Sequence, residues 1–232
     1  MLELFADLAP KAELDKMIAV GQKRLKQFQH SDGGWSWWYS HDSDPFITAY
    51  VVEYLLLADD TGFNIDKTML KKARGFFEDI LERATRDNKI ICLYALSLLQ
   101  SEKGSQSIIS LDNLDPDILA LAVMHNIRVG EKDPEKNGLN RLIKMAHARG
   151  NTYYWDAGNR WRFGSRDAST ALAIRAITYS GENRNTALQA GRFLMRNRIR
   201  NYWSNTFATA QVVRSLVELS DTADESSPEF DY

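Results

Sequence analysis

The residues that could carry chemistry are few. Cys92 is the only cysteine and sits in Ile90-Ile91-Cys92-Leu93-Tyr94-Ala95, an apolar helical run in which a free thiol packs as a small hydrophobe. A nucleophilic thiol needs a neighbouring base or an environment that lowers its pKa, and no such partner is adjacent in sequence. His30, His41, His125 and His147 show neither His-x-x-x-His nor His-x-Glu spacing, so a zinc site is not expected and they read as surface or turn histidines. Asp42, Asp44, Asp156 and Asp167 could be imagined as an acid pair, but Asp44 precedes Pro45 as a helix cap and Asp167 falls in a helix start.

The six tryptophans, Trp35, Trp37, Trp38, Trp155, Trp161 and Trp203, offer faces on which sugars, isoprenoids or bases could stack. Placed at turns after glycines, they read either as braces between helix pairs or as the lining of a groove. Arg160, Arg162 and Arg166, with Arg196, Arg198 and Arg200, make two basic clusters near aromatic residues, a combination known from nucleic-acid proteins. Acids elsewhere and the lack of a phosphate-loop glycine pattern favour a solvated rim instead. No catalytic, cofactor-binding or metal-binding residue is assigned, and the chain is not expected to be an enzyme by itself.

The elements that must position these residues are helical. Apolar residues recur at three- and four-residue spacing in nine segments, 12–28, 44–60, 66–84, 87–100, 114–127, 133–148, 166–180, 184–198 and 205–219, with almost no strand-like alternation. Asp44-Pro45 and Asp115-Pro116 are start signals, each pairing a capping carboxylate with a proline whose φ suits the first helical position. Gly62, Gly104, Gly130, Gly150 and Gly181 fall where left-handed residues would end helices.

The segments also repeat. Asp44-Pro45-x-Ile47-x-Ala49 recurs as Asp115-Pro116-x-Ile118-x-Ala120, and Thr48-Ala49, Thr170-Ala171 and Thr209-Ala210 each lead an apolar helix. The loops Gly33 to Trp38 and Tyr153 to Gly164 precede the first and second of these, and Tyr202-Trp203 is a shortened version before the third. Segments 44–60, 114–127 and 205–219 are apolar on most faces, whereas 66–84, 133–148 and 184–198 carry a broad charged stripe. Inner and outer helices in stacked pairs follow, and the short chain and tryptophan-rich turns favour a closed ring over an open solenoid. The expectation is an all-α, α/α-toroid domain over 1–220 with a polar tail or linker over 221–232.

Composition narrows the function classes. The 232 residues are 44% hydrophobic and 26% charged, with a net charge of -2, enough for a sizeable core and with no field toward nucleic acid or anionic lipid. No apolar run reaches the roughly 18 residues of a membrane helix, so direct membrane insertion is not expected, and Met1 to Pro10 lacks the regions of a signal peptide.

Gln29-His30-Ser31-Asp32-Gly33-Gly34-Trp35 fits the Gln-x-x-x-Gly-x-Trp pattern at the turns of α/α toroids, including terpenoid cyclases and protein prenyltransferases. Leu25 through Trp38, followed by Asp44-Pro45-Phe46-Ile47-Thr48-Ala49-Tyr50-Val51, resembles the thioester domain of bacterial alpha-2-macroglobulin-like proteins. Tyr153-Tyr154-Trp155, Arg166 to Ala173 and Trp203 to Ala210 resemble its later turns, so that the likeness runs over about residues 12–220. The resemblance implies a domain of a large multidomain protease trap, periplasmic or extracellular, whose partners are the parent's other domains and, through the parent, target proteases.

The family's chemistry is an internal thioester made by a Cys-x-Glu-Gln motif. Here Cys92 is followed by Leu93, Tyr94 and Ala95, and no cysteine precedes Gly33. The expectation is therefore a truncated, incomplete toroid of about nine helices, a non-catalytic scaffold without its own thioester or any cofactor. An α/α-toroid enzyme of the terpenoid cyclase or polysaccharide lyase type, or a helical-repeat interaction module, is the alternative, although no Asp-x-Asp-Asp acid is present.

Overall fold

The first helix to carry a core stripe, Pro45–Asp60, begins where Asp44 Oδ1 accepts the Ile47 amide at 2.9 Å and proline occupies the first turn, which satisfies one of the free amides that open any helix. The computed structural model describes residues 11–158 and 164–222. Trp161, Arg160, Arg162, Met1 to Pro10 and residues 223–232 of the expected tail lie outside them. The described residues are mainly helical, all-α apart from one two-stranded hairpin. Contacts divide the chain into two compact units, 1–106 and 107–232.

In the first unit, α1 (Lys11–Phe28), α2 (Pro45–Asp60), α3 (Lys67–Ile80) and α4 (Arg86–Leu98) are followed by a 3-10 turn at Glu102–Gly104. Helix α4 buries seven successive residues from Ile90 to Leu96 and packs on both α2 and α3. Helix α3 buries one stripe, Met69, Leu70, Ala73, Phe76 and Phe77, and turns its charges outward. Each large side chain fully removed from water stabilises by roughly 1.5–3 kcal/mol, so α4 and the α3 stripe hold the unit together. Helix α1 buries no residue completely. It is tethered by side chains instead: Gln22 bonds Asn64 O and the Asp66 amide at 2.7 and 2.9 Å, and Lys26 pairs with Asp66 at 2.6 Å.

In the second unit, α5 (Pro116–Arg128), α6 (Pro134–Asn137), α7 (Leu139–Lys144), β1 (His147–Arg149), β2 (Thr152–Tyr154), α8 (Arg166–Ser180), α9 (Arg184–Arg196) and α10 (Thr206–Asp221) follow. Helix α8 is the hub: every residue from Asp167 to Ile177 is buried, and it packs on α5, α9 and α10.

Several expectations need correction. The segment 133–148 is not one helix. Gly138 stands at φ 95° and divides it into α6 and α7, and its end belongs to the hairpin, in which Arg149 pairs with Thr152 across Gly150-Asn151. The β-branched and aromatic run Thr152-Tyr153-Tyr154 after a Gly-Asn turn is a hairpin signal that helical periodicity masked. Helix α10 is buried along one stripe only, Ala208, Gln211, Val212, Ser215 and Leu219, with Val213 exposed; α5, as expected, and α8 and α4 are the helices covered on most faces. Gly104 has an ordinary φ and lies within the 3-10 turn, unlike Gly62, Gly130, Gly150 and Gly181. Asp115 holds the N-cap position of α5 without a side-chain capping bond, and Gly158 lies directly against its carboxylate.

Candidate functional site

Three of the tryptophan turns share one set of hydrogen bonds. In each, the indole N–H donates to a carbonyl near the end of the preceding helix: Trp35 to Leu25 at 2.8 Å, Trp155 to Leu142 at 2.7 Å and Trp203 to Leu194 at 2.7 Å. In each, the tryptophan's backbone N–H donates to a threonine hydroxyl in the first turns of the next helix, Thr48 at 2.9 Å, Thr170 at 3.1 Å and Thr209 at 3.0 Å. The Thr48 and Thr170 hydroxyls return a bond to the carbonyl of the same tryptophan at 3.2 and 3.4 Å. A side-chain oxygen from Asp44, Ser165 or Asn205 caps that next helix. One residue thus ties an outgoing helix to an incoming one, and the indoles, 2%, 0% and 4% exposed, leave no polar atom unmatched in the core.

The first turn adds its own fastening. Gln29 Nε2 donates to Gly33 O at 2.8 Å and to Met69 O at 3.0 Å, clamping the loop to α3. Gly33 stands at φ 93° with the Lys72 carbonyl so close that a Cβ could not be placed, so only glycine fits. His30, Ser43 and Asp32 form a further network that sequence reading missed: His30 Nδ1 lies 3.0 Å from Ser43 Oγ, which donates to Asp32 Oδ1 at 2.7 Å, and Tyr39 sets its ring edgewise to the imidazole. The Asp32-Gly33-Gly34 run was the available signal, because Asp32 also accepts the Gly34 amide, the local bond of an aspartate turn.

Trp37 and Trp38 behave differently, both 61% exposed. In the second unit, the turns of Trp155 and Trp203 meet at the start of α8, where Thr170 serves the first and buried Asp167 accepts from the amide and hydroxyl of Ser204 beside the second. The aspartates are thereby dispersed into separate roles. Asp44 caps α2, Asp156 pairs with Arg166 at 2.7 Å, Asp167 fastens a turn, and Asp42 is exposed. Hydrogen bonding to Asp156 raises the Arg166 pKa above its ordinary value, and the guanidinium also lies 4.7 Å over the Tyr154 ring.

Cys92 is buried, and that burial pushes its thiol up to about 12, so it is protonated at neutral pH. Among the described residues no group of three His, Cys, Asp or Glu side chains could hold a metal ion, and no helix is long and apolar enough to cross a membrane. His125 corrects the surface-or-turn reading of the histidines, being fully buried within α5. Arg196, Arg198 and Arg200 are all exposed.

One stretch of the chain is similar to an alpha-2-macroglobulin. The match is to that protein from Thermotoga maritima, 36% identical over 59 residues, which is 25% of this chain and 4% of the relative. The chain thus spans a small fraction of the alpha-2-macroglobulin it resembles. No protein-family model matches it.

One cavity remains. Between α1 and α2 of the first unit lies an almost wholly apolar groove of about 550 Å³, lined by residues such as Leu14, Ile18, Leu25, Tyr54 and Phe63. Its lining has few groups with which to orient a polar substrate.

Proposed function

We propose that the chain is a scaffold segment of an alpha-2-macroglobulin-like protease trap, shaped as part of an α/α toroid resembling that family's thioester domain and lacking a thioester of its own. The observation that carries the reading is the alpha-2-macroglobulin similarity taken with the thrice-repeated indole turn, which fastens helix to helix and leaves no polar group of the three indoles for chemistry. The open apolar groove beside α1 suits a segment whose first helix is completed by other parts of a parent protein. A periplasmic or extracellular setting, and contact with target proteases through the parent, follow from the same reading.

A thioester is an acyl donor that forms with loss of ammonia from a glutamine side chain and must be shielded from water until used. Cys92 is the only sulfur available for one, and no glutamine follows it before Gln100. The test is intact-mass measurement before and after methylamine treatment, with thiol titration in denaturant. The expected result is the unmodified sequence mass, no methylamine adduct and one titratable thiol under both conditions. A mass short by one ammonia, or a methylamine adduct that frees the thiol, overturns the reading.

The groove gives the toroid-enzyme alternative its one supporting observation, because an isoprenoid chain would suit its apolar lining. Stoichiometric retention of a farnesyl compound, with a raised unfolding midpoint, would favour that alternative over the scaffold.

A further inference from the structure

At one end of the second unit, three pieces of chain bring arginines together. The hairpin turn after β1 presents Arg149, the last turns of α9 present Arg192 and Arg196, and the tight turn that follows presents Arg198 and Arg200. Arg196 donates to Asn151 Oδ1 at 3.1 Å and so ties the helix end to the hairpin turn. The Ile199 and Tyr202 backbones exchange bonds at 2.9 and 3.1 Å, which holds Arg198 and Arg200 on a fixed loop.

All five arginines are exposed, and among the described residues none of them forms an ion pair. The flanking sequence supplies no acid either. From Asn183 to Val217 the sequence has six arginines and no aspartate or glutamate, and from Lys136 to Trp155 it has four lysines and arginines and again no acid. Arg200 adopts φ 54°, an unfavourable conformation for a side chain of its size, at the tip of the loop. Met195, Ile199 and Tyr202 lie among the guanidinium groups, each about half exposed.

Such a surface fits an extended acidic peptide that carries aromatic side chains: planar guanidinium groups bind carboxylates with two parallel bonds, and the apolar side chains between them receive rings. The same chain encodes a segment of that kind. Residues 221–232 contain five acids, Asp221, Asp224, Glu225, Glu229 and Asp231, no lysine or arginine, and the aromatics Phe230 and Tyr232.

Reach allows the match. Helix α10 starts just after the arginine loop and runs for 16 residues, about 24 Å, so residue 222 lies roughly that far from the loop. The ten residues beyond it span about 33 Å when extended, which brings the last of them, Glu229 to Tyr232, within range of the arginines. We propose that the arginine corner of the second unit is a docking surface for an acidic peptide and that its occupant is the chain's own Glu229–Tyr232, with residues 223–228 as the tether. This inference stands apart from the scaffold reading.

Tethering supplies an effective concentration of order 1 mM, so modest affinity is enough for occupancy. The test measures binding of a dye-labelled synthetic peptide of residues 221–232 to the full chain at low salt. Two forms of the chain are compared: the native one, and one in which Asp224→Lys, Glu225→Lys, Glu229→Lys and Asp231→Lys prevent self-docking.

The altered chain should bind the peptide, and the native chain should bind it at least about 5-fold more weakly because its own segment competes. Arg196→Glu, Arg198→Glu and Arg200→Glu together, added to the altered chain, should abolish binding. Arg198→Glu alone, an exposed change that the fold should tolerate, should weaken binding about 3-fold. Failure of the altered chain to bind, or indifference to the arginine changes, removes the surface. Equal binding by both chains shows that it serves a separate acidic partner, and overturns the assignment of its occupant.

Discussion

Of the turns that lead into α2, α5, α8 and α10, three are fastened by tryptophan while one is not. Ahead of α2, α8 and α10, Trp35, Trp155 and Trp203 bond the helix behind them and the threonine in front. Ahead of α5, the position equivalent to Thr48 is Leu119, and the incoming loop is held by a side chain reaching back from the helix. Asn126 accepts the Ile108 amide at 2.7 Å and donates to the Ile108 carbonyl at 2.9 Å and to Asn137 O at 3.3 Å. The amide matches a stretch of backbone as a neighbouring strand would, but contributes little apolar contact, whereas an indole provides a hydrogen bond and a large packed surface together. Two devices satisfy the same buried backbone, and they should fail differently.

Truncation tests this most strongly. Trp155→Ala should cost about 3–5 kcal/mol, the range for removing a large buried aromatic, with the Leu142 carbonyl left unbonded as well. Asn126→Ala should cost about 2–3 kcal/mol, because it strands the buried amide and carbonyl of Ile108. Chemical denaturation of both variants gives the ranking. An Asn126→Ala loss as large as that of Trp155→Ala would mean that polar satisfaction, not packing, sets the strength of these turns.

Much of the comparison could be read before any coordinates. The Thr-Ala echo marked the three helices that receive a tryptophan turn, and the Asp-Pro echo correctly started α2 and α5. The echo could not show that Asp115 makes no side-chain capping bond, or that its carboxylate is faced by Gly158 from a loop 43 positions away. Nor could local spacing reveal that the Thr48, Thr170 and Thr209 hydroxyls accept tryptophan amides, or that Asn126, one polar residue in an apolar helix, replaces them. Which indoles are buried was equally hidden, since Trp35, Trp37 and Trp38 share one loop and differ only in what the rest of the unit places over them.

The turns should be compared below pH 9, where thiol ionisation does not intrude. Burial raises the Cys92 pKa from 9.0 to about 12, so its contribution to stability is complete below the unfolded-state value and is lost as pH rises toward 12. By pH 10.5 the loss should be about 2 kcal/mol. Urea midpoints measured from pH 8 to 10.5 should fall more steeply for the native chain than for Cys92→Ala, and parallel slopes would show that the thiol is not desolvated. Substitution of the threonines at fixed pH comes next. Thr48→Val and Thr170→Val should each cost about 1–3 kcal/mol by leaving a buried tryptophan amide unbonded. Thr209→Val should cost less, because Thr209 is half-buried and its hydroxyl donates to Asn205 O instead of returning to Trp203.

The smallest expected effect separates the two uses of tryptophan within a single loop. Trp37→Ser and Trp38→Ser should each change stability by no more than about 0.5 kcal/mol, the usual range for exposed positions, although Trp35 two residues away is indispensable. Large apolar faces on a surface mark places where something else binds. If both variants fold normally but lose association with neighbouring parts of a parent protein, the exposed pair is a contact surface and the buried three are fasteners. If either variant unfolds as readily as Trp35→Ala, the division between bracing and contact tryptophans collapses, and all the indoles of that turn belong to its core.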